Sequence, residues 1–368
     1  MRPAEALLTW FDQHRRDLPW RRTSDPYRIW LSEVMLQQTR VETVLPFYNR
    51  FLERFPAVED LARAEAEEVL AMWSGLGYYR RARQLHAAAR KIAEAGAFPA
   101  TVEGLLALPG IGAYTAAAVA SIAFGVAAPV MDGNVERVLS RVLAQAEDPK
   151  SGEARKKLLA AAAELLDPAR PGDSNQALME LGATLCSPRR PKCLLCPLRS
   201  GCRAAREGDP ESYPAPKVKR EAERHRLLVA VVEDGSGVLL FRRPEDSTLL
   251  AGTWELPWMT RERDGVPEPG DPRAVLAGRY GGRWTVGPRI GGVRHGITYR
   301  DLEVDVHRAE LAWGGEVREG MAAGFFDEAG RANLPLSSLV GKVLAAVSGA
   351  GSTPGAEAPA RRSRSRRR

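Results

Sequence analysis

Residues 105–141 read LLALPGIGAYTAAAVASIAFGVAAPVMDGNVERVLSR. Gly110 and Gly112 stand one residue apart between two segments of helical spacing. Such a turn can present backbone N–H groups at the start of the next helix, where an anion is favoured, although a plain helix connection shows the same pattern. The run AYTAAAVASIAF reads as an apolar helix. Asp132 then precedes a third helix, whose N-cap is either Asp132 or Asn134. The helix dipole is expected to keep Asp132 ionised.

Around this stretch, residues 1–206 are helical in pattern. PAEALLTWFDQHR, PYRIWLSEVMLQQTRVETVLPFYNRFLERF, AEEVLAMWSGLGYYRRARQLHAAARKIAE and EARKKLLAAAAELL all place apolar residues at helical spacing, and no strand-like alternation competes. In the second of these, Trp30, Val34 and Val41 share one face and Glu33 lies about 60° from its centre, with Gln37 one turn above. That puts a carboxylate at the edge of an apolar surface, where partial burial raises its pKa toward the range of a general acid. A solvated helix-edge glutamate is the plainer alternative. Together, one carboxyl pushed toward protonation and one held charged form the division of labour that glycosidic cleavage requires.

The four cysteines, Cys186, Cys193, Cys196 and Cys202, fall within 17 residues as C-x6-C-x2-C-x5-C. No signal peptide precedes them, so disulfides are not expected, and thiolates this close predict an iron–sulfur cluster or tetrahedral zinc. Arg189, Arg190, Lys192, Arg199 and Arg203 surround them.

From Glu207 to about residue 224 the sequence turns to prolines and charges and reads as an extended connector. From residue 225 to 347 it reads as β with two helices: RLLVAVVED, a turn at Gly235 to Gly237, VLLFRRP, RWTVGPRI, ITYRDLEVDVHRAEL and GFFD as strands, PRAVLAGRYG and LVGKVLAAV as helices. Residues 348–368 are too poor in apolar side chains to fold.

Composition sets the outer limits. A chain of 368 residues with 44% apolar content can bury a full core and form two or three domains. No apolar run approaches the roughly 20 residues of a membrane span, and the N-terminus lacks a signal peptide, so a cytoplasmic location follows. The net charge of +7 is uneven. Residues 1–206 hold 28 basic and 23 acidic side chains, and residues 361–368 hold six arginines, which suits a polyanionic partner.

SEVMLQQTRV, WSGLGYYRRAR, LPGIGAYTAAAV, MDGNVERVL, NQALMELG and the four-cysteine loop, in this order, resemble the MutY-type adenine DNA glycosylases of the endonuclease III, helix–hairpin–helix superfamily. The resemblance implies a multi-domain chain: an all-α helix–hairpin–helix glycosylase domain over 1–206 (hairpin about 105–122, cluster loop 186–202), then an α+β Nudix-like (MutT-like) domain over 225–347. It implies removal of adenine opposite 8-oxoguanine, or opposite G, in double-stranded DNA, by a monomer associated with the nucleoid. Glu33 matches the general acid that protonates adenine N7, and Asp132 the carboxylate that stabilises the oxocarbenium-like sugar, with Tyr114 and Asn134 beside them. Trp20, Arg21 and Gln176 match positions near the adenine pocket. Gln38, Leu76 and Tyr78 match residues that probe or wedge the stack, and Thr39, Gly77, Gly110 and Gly112 extend that DNA-binding set. The cysteines match ligands of a [4Fe–4S] cluster.

Related enzymes that also cut the strand use a lysine in the hairpin helix. Residues 105–141 contain none, and Tyr114 occupies that place, so base removal without strand cleavage is expected. AGTWELPW resembles the MutT-like signature without a following Nudix hydrolase box, which implies recognition of 8-oxoguanine and not hydrolysis. The family's H-x-F-S/T-H segment reads here His295, Gly296, Ile297, Thr298, Tyr299. Thr298 keeps a hydroxyl, or is simply a strand residue. Alternative readings are an endonuclease III-like pyrimidine glycosylase and lyase, a non-catalytic iron–sulfur DNA-binding protein, and a nucleotide hydrolase acting through the C-terminal module.

Overall fold

Helix-forming and strand-forming sequence segregates along the chain. The computed structural model describes residues 2–216, 221–313 and 321–350, gathered into two units, Met1–Lys219 and Arg220–Arg368. The basic tail lies, from residue 351 on, outside the described residues. No helix among the described residues is long and apolar enough to cross a membrane.

The first unit consists of α1 (Pro3–His14), α2 (Pro26–Leu36), α3 (Val41–Arg54), α4 (Val58–Arg63), α5 (Ala66–Met72), α6 (Arg80–Ala95), α7 (Val102–Leu106), α8 (Ala113–Phe124), α9 (Gly133–Leu143), α10 (Gly152–Glu164), α11 (Pro171–Thr184) and α12 (Arg203–Glu207), with short 3-10 turns between them. Helix α8 is central. Its residues Thr115 to Ser121 are all buried, as a helix apolar on every side requires. Its alanines allow close neighbours: a Cβ on Gly172 of α11 would lie 2.7 Å from the Ile122 Cα. On another side packs α2, buried without a break from Ile29 to Met35. Leu7, Phe11, Val135, Leu139, Leu158, Leu178 and Leu181 join α1, α9, α10 and α11 in one core, where each fully buried side chain contributes about 1.5–3 kcal/mol.

Two long helical patterns break in space. The helix carrying Glu33 ends at Leu36 and a new one starts at Val41, with Gln38 at φ +58 between them. Val41 therefore does not share a helix face with Trp30 and Val34. Likewise α5 and α6 are separated by a turn with Gly75 at φ +96, Gly77 at φ +75 and Tyr78 at φ +51. The connector expected from 207 is not extended at its start. Pro210–Ser212 form a 3-10 turn, the Tyr213 carbonyl accepts from Arg141 Nε at 3.1 Å, and Ala215 N–H donates to Ala146 O at 3.0 Å.

The second unit is α+β, with β1 (Glu223–Val231), β2 (Glu233–Asp234), β3 (Gly237–Arg242), β4 (Trp254–Glu255), β5 (Trp258–Arg263), β6 (Val266–Pro267), β7 (Arg283–Ile297), β8 (Arg300–Ala312), β9 (Ala323–Phe326), α13 (Pro272–Tyr280), α14 (Glu328–Ala332) and α15 (Ser338–Ala350). A mixed sheet runs β6-β5-β1-β8-β7, with β1 parallel to β8 and the other pairs antiparallel. The smaller antiparallel sheet pairs β3 with β2, β4 and β9. The unbroken apolar run of β1 follows from burial on both faces. Leu227, Val229 and Val231 pack with Val340 and Val343 of α15, while Leu228 and Ala230 pack with Leu276 and Tyr280 of α13. Thr298 is not a strand residue. Ile297 pairs with Arg300, so Thr298 and Tyr299 form the tip of the β7–β8 hairpin. Thr298 is exposed at φ +54 and its hydroxyl donates to the Ile297 carbonyl at 2.7 Å.

Candidate active site

Glu33 hangs from a helix buried on all sides and is itself only 6% exposed. The hydroxyl of Tyr114, in the first turn of α8, donates to Glu33 Oε2 at 2.6 Å and lies 3.1 Å from Met179 Sδ. Burial pushes the Glu33 carboxyl up to about 7, helped by the charge of Asp132 and opposed by the Tyr114 hydrogen bond and Arg21. Burial and the two carboxylates hold the Tyr114 phenol well above its ordinary range, so it remains a donor.

Asp132 is the N-cap of α9. Its Oδ1 accepts from Val135 N–H at 2.7 Å and its Oδ2 from Asn134 Nδ2 at 3.0 Å. Burial raises the Asp132 carboxyl above its usual value despite bonds from Val135 and Asn134 and the charge of Arg137. Asn134 buttresses: its Oδ1 accepts from Arg137 Nη2 at 2.9 Å, and Arg137 Nη2 reaches the Gly182 carbonyl at 2.7 Å. A Cβ on Gly182 would sit 2.6 Å from Asn134 Cβ, so α9 and α11 approach as closely as glycine permits. Before Asp132 the chain is fastened by fully buried Asn175, whose Oδ1 accepts from Val130 N–H at 3.1 Å and whose Nδ2 donates to Ala128 O and Ser121 Oγ, both at 2.8 Å.

Glu33, Tyr114, Asp132 and Asn134 line one cleft of about 1220 Å³, together with Trp20, Arg21, Gln38, Thr39, Tyr78 and Gln176. Trp20 is buried edge-on to Tyr48, while Tyr78 is 48% exposed. Leu76, Gly77, Gly110 and Gly112 are not on the cleft wall. Leu76 is 5% exposed, so its side chain is core and not a projecting wedge. Gly110, at φ +74, admits no side chain, since a Cβ would lie 2.5 Å from Gln84 Cβ. Gly112 caps α8 with an extended backbone and open space beside it, a position that does not demand glycine.

Sequence reasoning missed Glu180, although it lies one helical turn past Gln176 on the same face. Arg16 donates to Glu180 through its backbone N–H, Nε and Nη2, and Arg21 through Nη2 at 2.8 Å. Burial alone would raise the Glu180 carboxyl, but the two arginines outweigh it and hold it at about 2. Arg21 is thereby fixed at the cleft. Lys150, outside residues 105–141, also lines the cleft.

The four cysteines line one small cavity of about 20 Å³, with Cys202 buried and the others half-buried. Arg141 Nη1 lies 3.3 Å from Cys186 Sγ. Burial and the charges of the other three thiols push Cys196 up to about 11, so this donor set gains from a cationic centre. Among the described residues, no three His, Cys, Asp or Glu side chains gather closely enough to hold a single ion.

Residues 31–164 match the HhH-GPD superfamily of base excision DNA repair proteins. The adenine DNA glycosylase of Schizosaccharomyces pombe is 34% identical over 325 residues, covering 72% of this chain and 70% of the relative. The chain belongs to the adenine DNA glycosylase family. Within that family the human adenine DNA glycosylase is 42% identical over 313 residues, which cover 70% of this chain and 57% of the human one. The chain thus spans under two thirds of the length of its mammalian relatives. A thermostable thymine-DNA glycosylase superposes with a TM-score of 0.51 at 32% identity, over 55% of this chain and 95% of its own.

Proposed function

We propose that this chain removes adenine from double-stranded DNA by hydrolysing the N-glycosidic bond, with adenine opposite 8-oxoguanine or G as its target. The observation that carries the reading is a buried carboxyl held near pKa 7 and bonded to a tyrosine, in the same cleft as a capped aspartate. A carboxyl titrating near neutrality can hold the proton that adenine N7 receives as the base leaves. Asp132, positioned by Val135 and Asn134, stabilises the positive charge developing on the sugar. The base must first leave the stack, which costs a few kcal/mol. Trp20, Arg21 and Gln176 receive it, and the exposed Gln38 and Tyr78, with the half-buried Thr39, engage the bases around the gap. The first turn of α8 presents its free N–H groups beside Gly110 and Gly112 for a backbone phosphate.

Cys186, Cys193, Cys196 and Cys202 would hold a [4Fe–4S] cluster, which when bound ties the 186–202 segment into one rigid, cation-rich loop. In the second unit, Thr298 at an exposed hairpin tip offers its hydroxyl to 8-oxoguanine once released from the Ile297 carbonyl. The activity is base removal alone, because Tyr114 stands where the strand-cutting relatives carry an amine and its hydroxyl is committed to Glu33. The test compares adenine release from duplexes bearing A opposite 8-oxoguanine, G, C and T. Release confined to the first two supports the reading, and release of a pyrimidine instead would replace it with the endonuclease III-like alternative.

A further inference from the structure

Arg81, in the first turn of α6, is 8% exposed, and its two terminal nitrogens share their four hydrogens among five carbonyls and one hydroxyl within hydrogen-bond distance. Nη1 donates to the carbonyls of Val34 at 3.0 Å, Met35 at 2.8 Å and Gln37 at 2.5 Å. Nη2 donates to Thr39 Oγ1 at 3.1 Å, Leu76 O at 3.2 Å and Gly77 O at 3.1 Å. One cation therefore caps the C-terminus of the helix carrying Glu33 and grips two separate turns. It also stacks between rings, its Cζ lying 5.4 Å from the centroids of both Trp73 and Tyr78.

Those two turns carry the exposed side chains Gln38 and Tyr78, both on the cleft wall and both at positive φ without being glycine. Such backbone is strained and persists only where the surroundings over-determine it. The Arg81 carbonyl bonds are that over-determination. Removing the cation would leave the α2 C-terminal carbonyls and the Leu76–Gly77 carbonyls without their common donor.

We infer that Arg81 is a positioning residue that sets the Gln38 and Tyr78 turns at a fixed separation from the Glu33 helix, so that engagement of the mispair and removal of the base act as one rigid unit. The inference rests on the proposed glycosylase reading for its substrate, but it concerns the clamp and not the chemistry.

The test uses the full chain and a duplex carrying a fluorescent base analogue beside the mispair, with excision rates normalised to the titrated active fraction. Arg81→Lys keeps the charge and loses the forked geometry. It is expected to raise the half-saturating DNA concentration about tenfold or more and to erase the fluorescence response to engagement. The pH midpoint of the chemical step should stay at the wild-type value. A merely structural role would lower the active fraction and leave half-saturation and fluorescence unchanged, and that result overturns the inference. If Arg81→Lys does not fold, Thr39→Val removes the Arg81 Nη2 bond together with the hydroxyl's own bond to the Gln37 carbonyl, and should shift half-saturation in the same direction by a smaller factor and weaken the fluorescence response. An unshifted value there counts equally against the clamp. Wild-type protein that engages the duplex in an Arg81-dependent way but releases no adenine would sink the proposed function and leave this inference standing.

Discussion

The Tyr114 hydroxyl donates to Glu33 Oε2 at 2.6 Å across 81 residues of sequence. This bond occupies one carboxyl oxygen and leaves Oε1 to carry the proton. It also pulls the Glu33 pKa down against burial. Tyr114→Phe should therefore move the alkaline midpoint of single-turnover excision above that of wild type, where the Glu33 carboxyl at about 7 is expected to set it. A midpoint shifted downward, or a wild-type rate that does not fall as pH rises through this region, would show that Glu33 is not the titrating acid.

Glu33→Gln should reduce the excision rate by about 100-fold or more while stabilising the fold at alkaline pH. A carboxyl raised from 4.5 to about 7 binds its proton more tightly when folded, so wild-type stability is full below 4.5 and declines as pH rises through 7. The variant lacks that loss and should gain about 3 kcal/mol relative to wild type between the two limits. Thermal unfolding at both ends of the range measures it.

Gly182→Ala introduces a Cβ 2.6 Å from Asn134 Cβ and 3.0 Å from the Asn134 carbonyl oxygen. Overpacking of this kind costs about 1–3 kcal/mol. Because the strain falls on the residue that bonds Asp132, excision should fall further than the drop in folded fraction explains. Equal losses in the two measurements would detach Asn134 from Asp132 positioning.

Asn175→Ala strips the buried Val130 N–H and Ala128 carbonyl of their partner. Each such group costs about 1–3 kcal/mol, and the segment leading to Asp132 loses its anchor. A melting temperature lowered by several degrees is expected, and an unchanged one would mean the segment is held elsewhere.

Borohydride present during turnover should trap no major protein–DNA adduct, since hydrolysis makes no imine. Lys150 is the amine that the cleft offers. An adduct that forms with wild type and vanishes in Lys150→Ala would identify that amine as a nucleophile and contradict simple hydrolysis.

Local signals carried much of this molecule. The capped Asp132, the apolar α8 and the doubly buried β1 are written in consecutive residues, where period and capping chemistry act directly. What was not legible depends on distant partners. LQQTR contains no glycine or proline, so nothing marks the break at Gln38; that turn is held by Arg81 from a different helix. Glu180 reads as one more helical acid until Arg16 and Arg21 close on it. Leu76 is placed at the DNA by family resemblance alone, and nothing in its sequence neighbourhood shows that its side chain falls into the core. That burial raises the Asp132 carboxyl against the bonds from Val135 and Asn134 likewise depends on the tertiary fold.

The most direct measurement is single-turnover adenine release from an A:8-oxoguanine duplex by wild type, Glu33→Gln and Asp132→Asn, each normalised to bound DNA. The account predicts release by wild type and near-complete loss in both variants with binding retained. Wild-type rates in both variants would contradict the two-carboxylate mechanism.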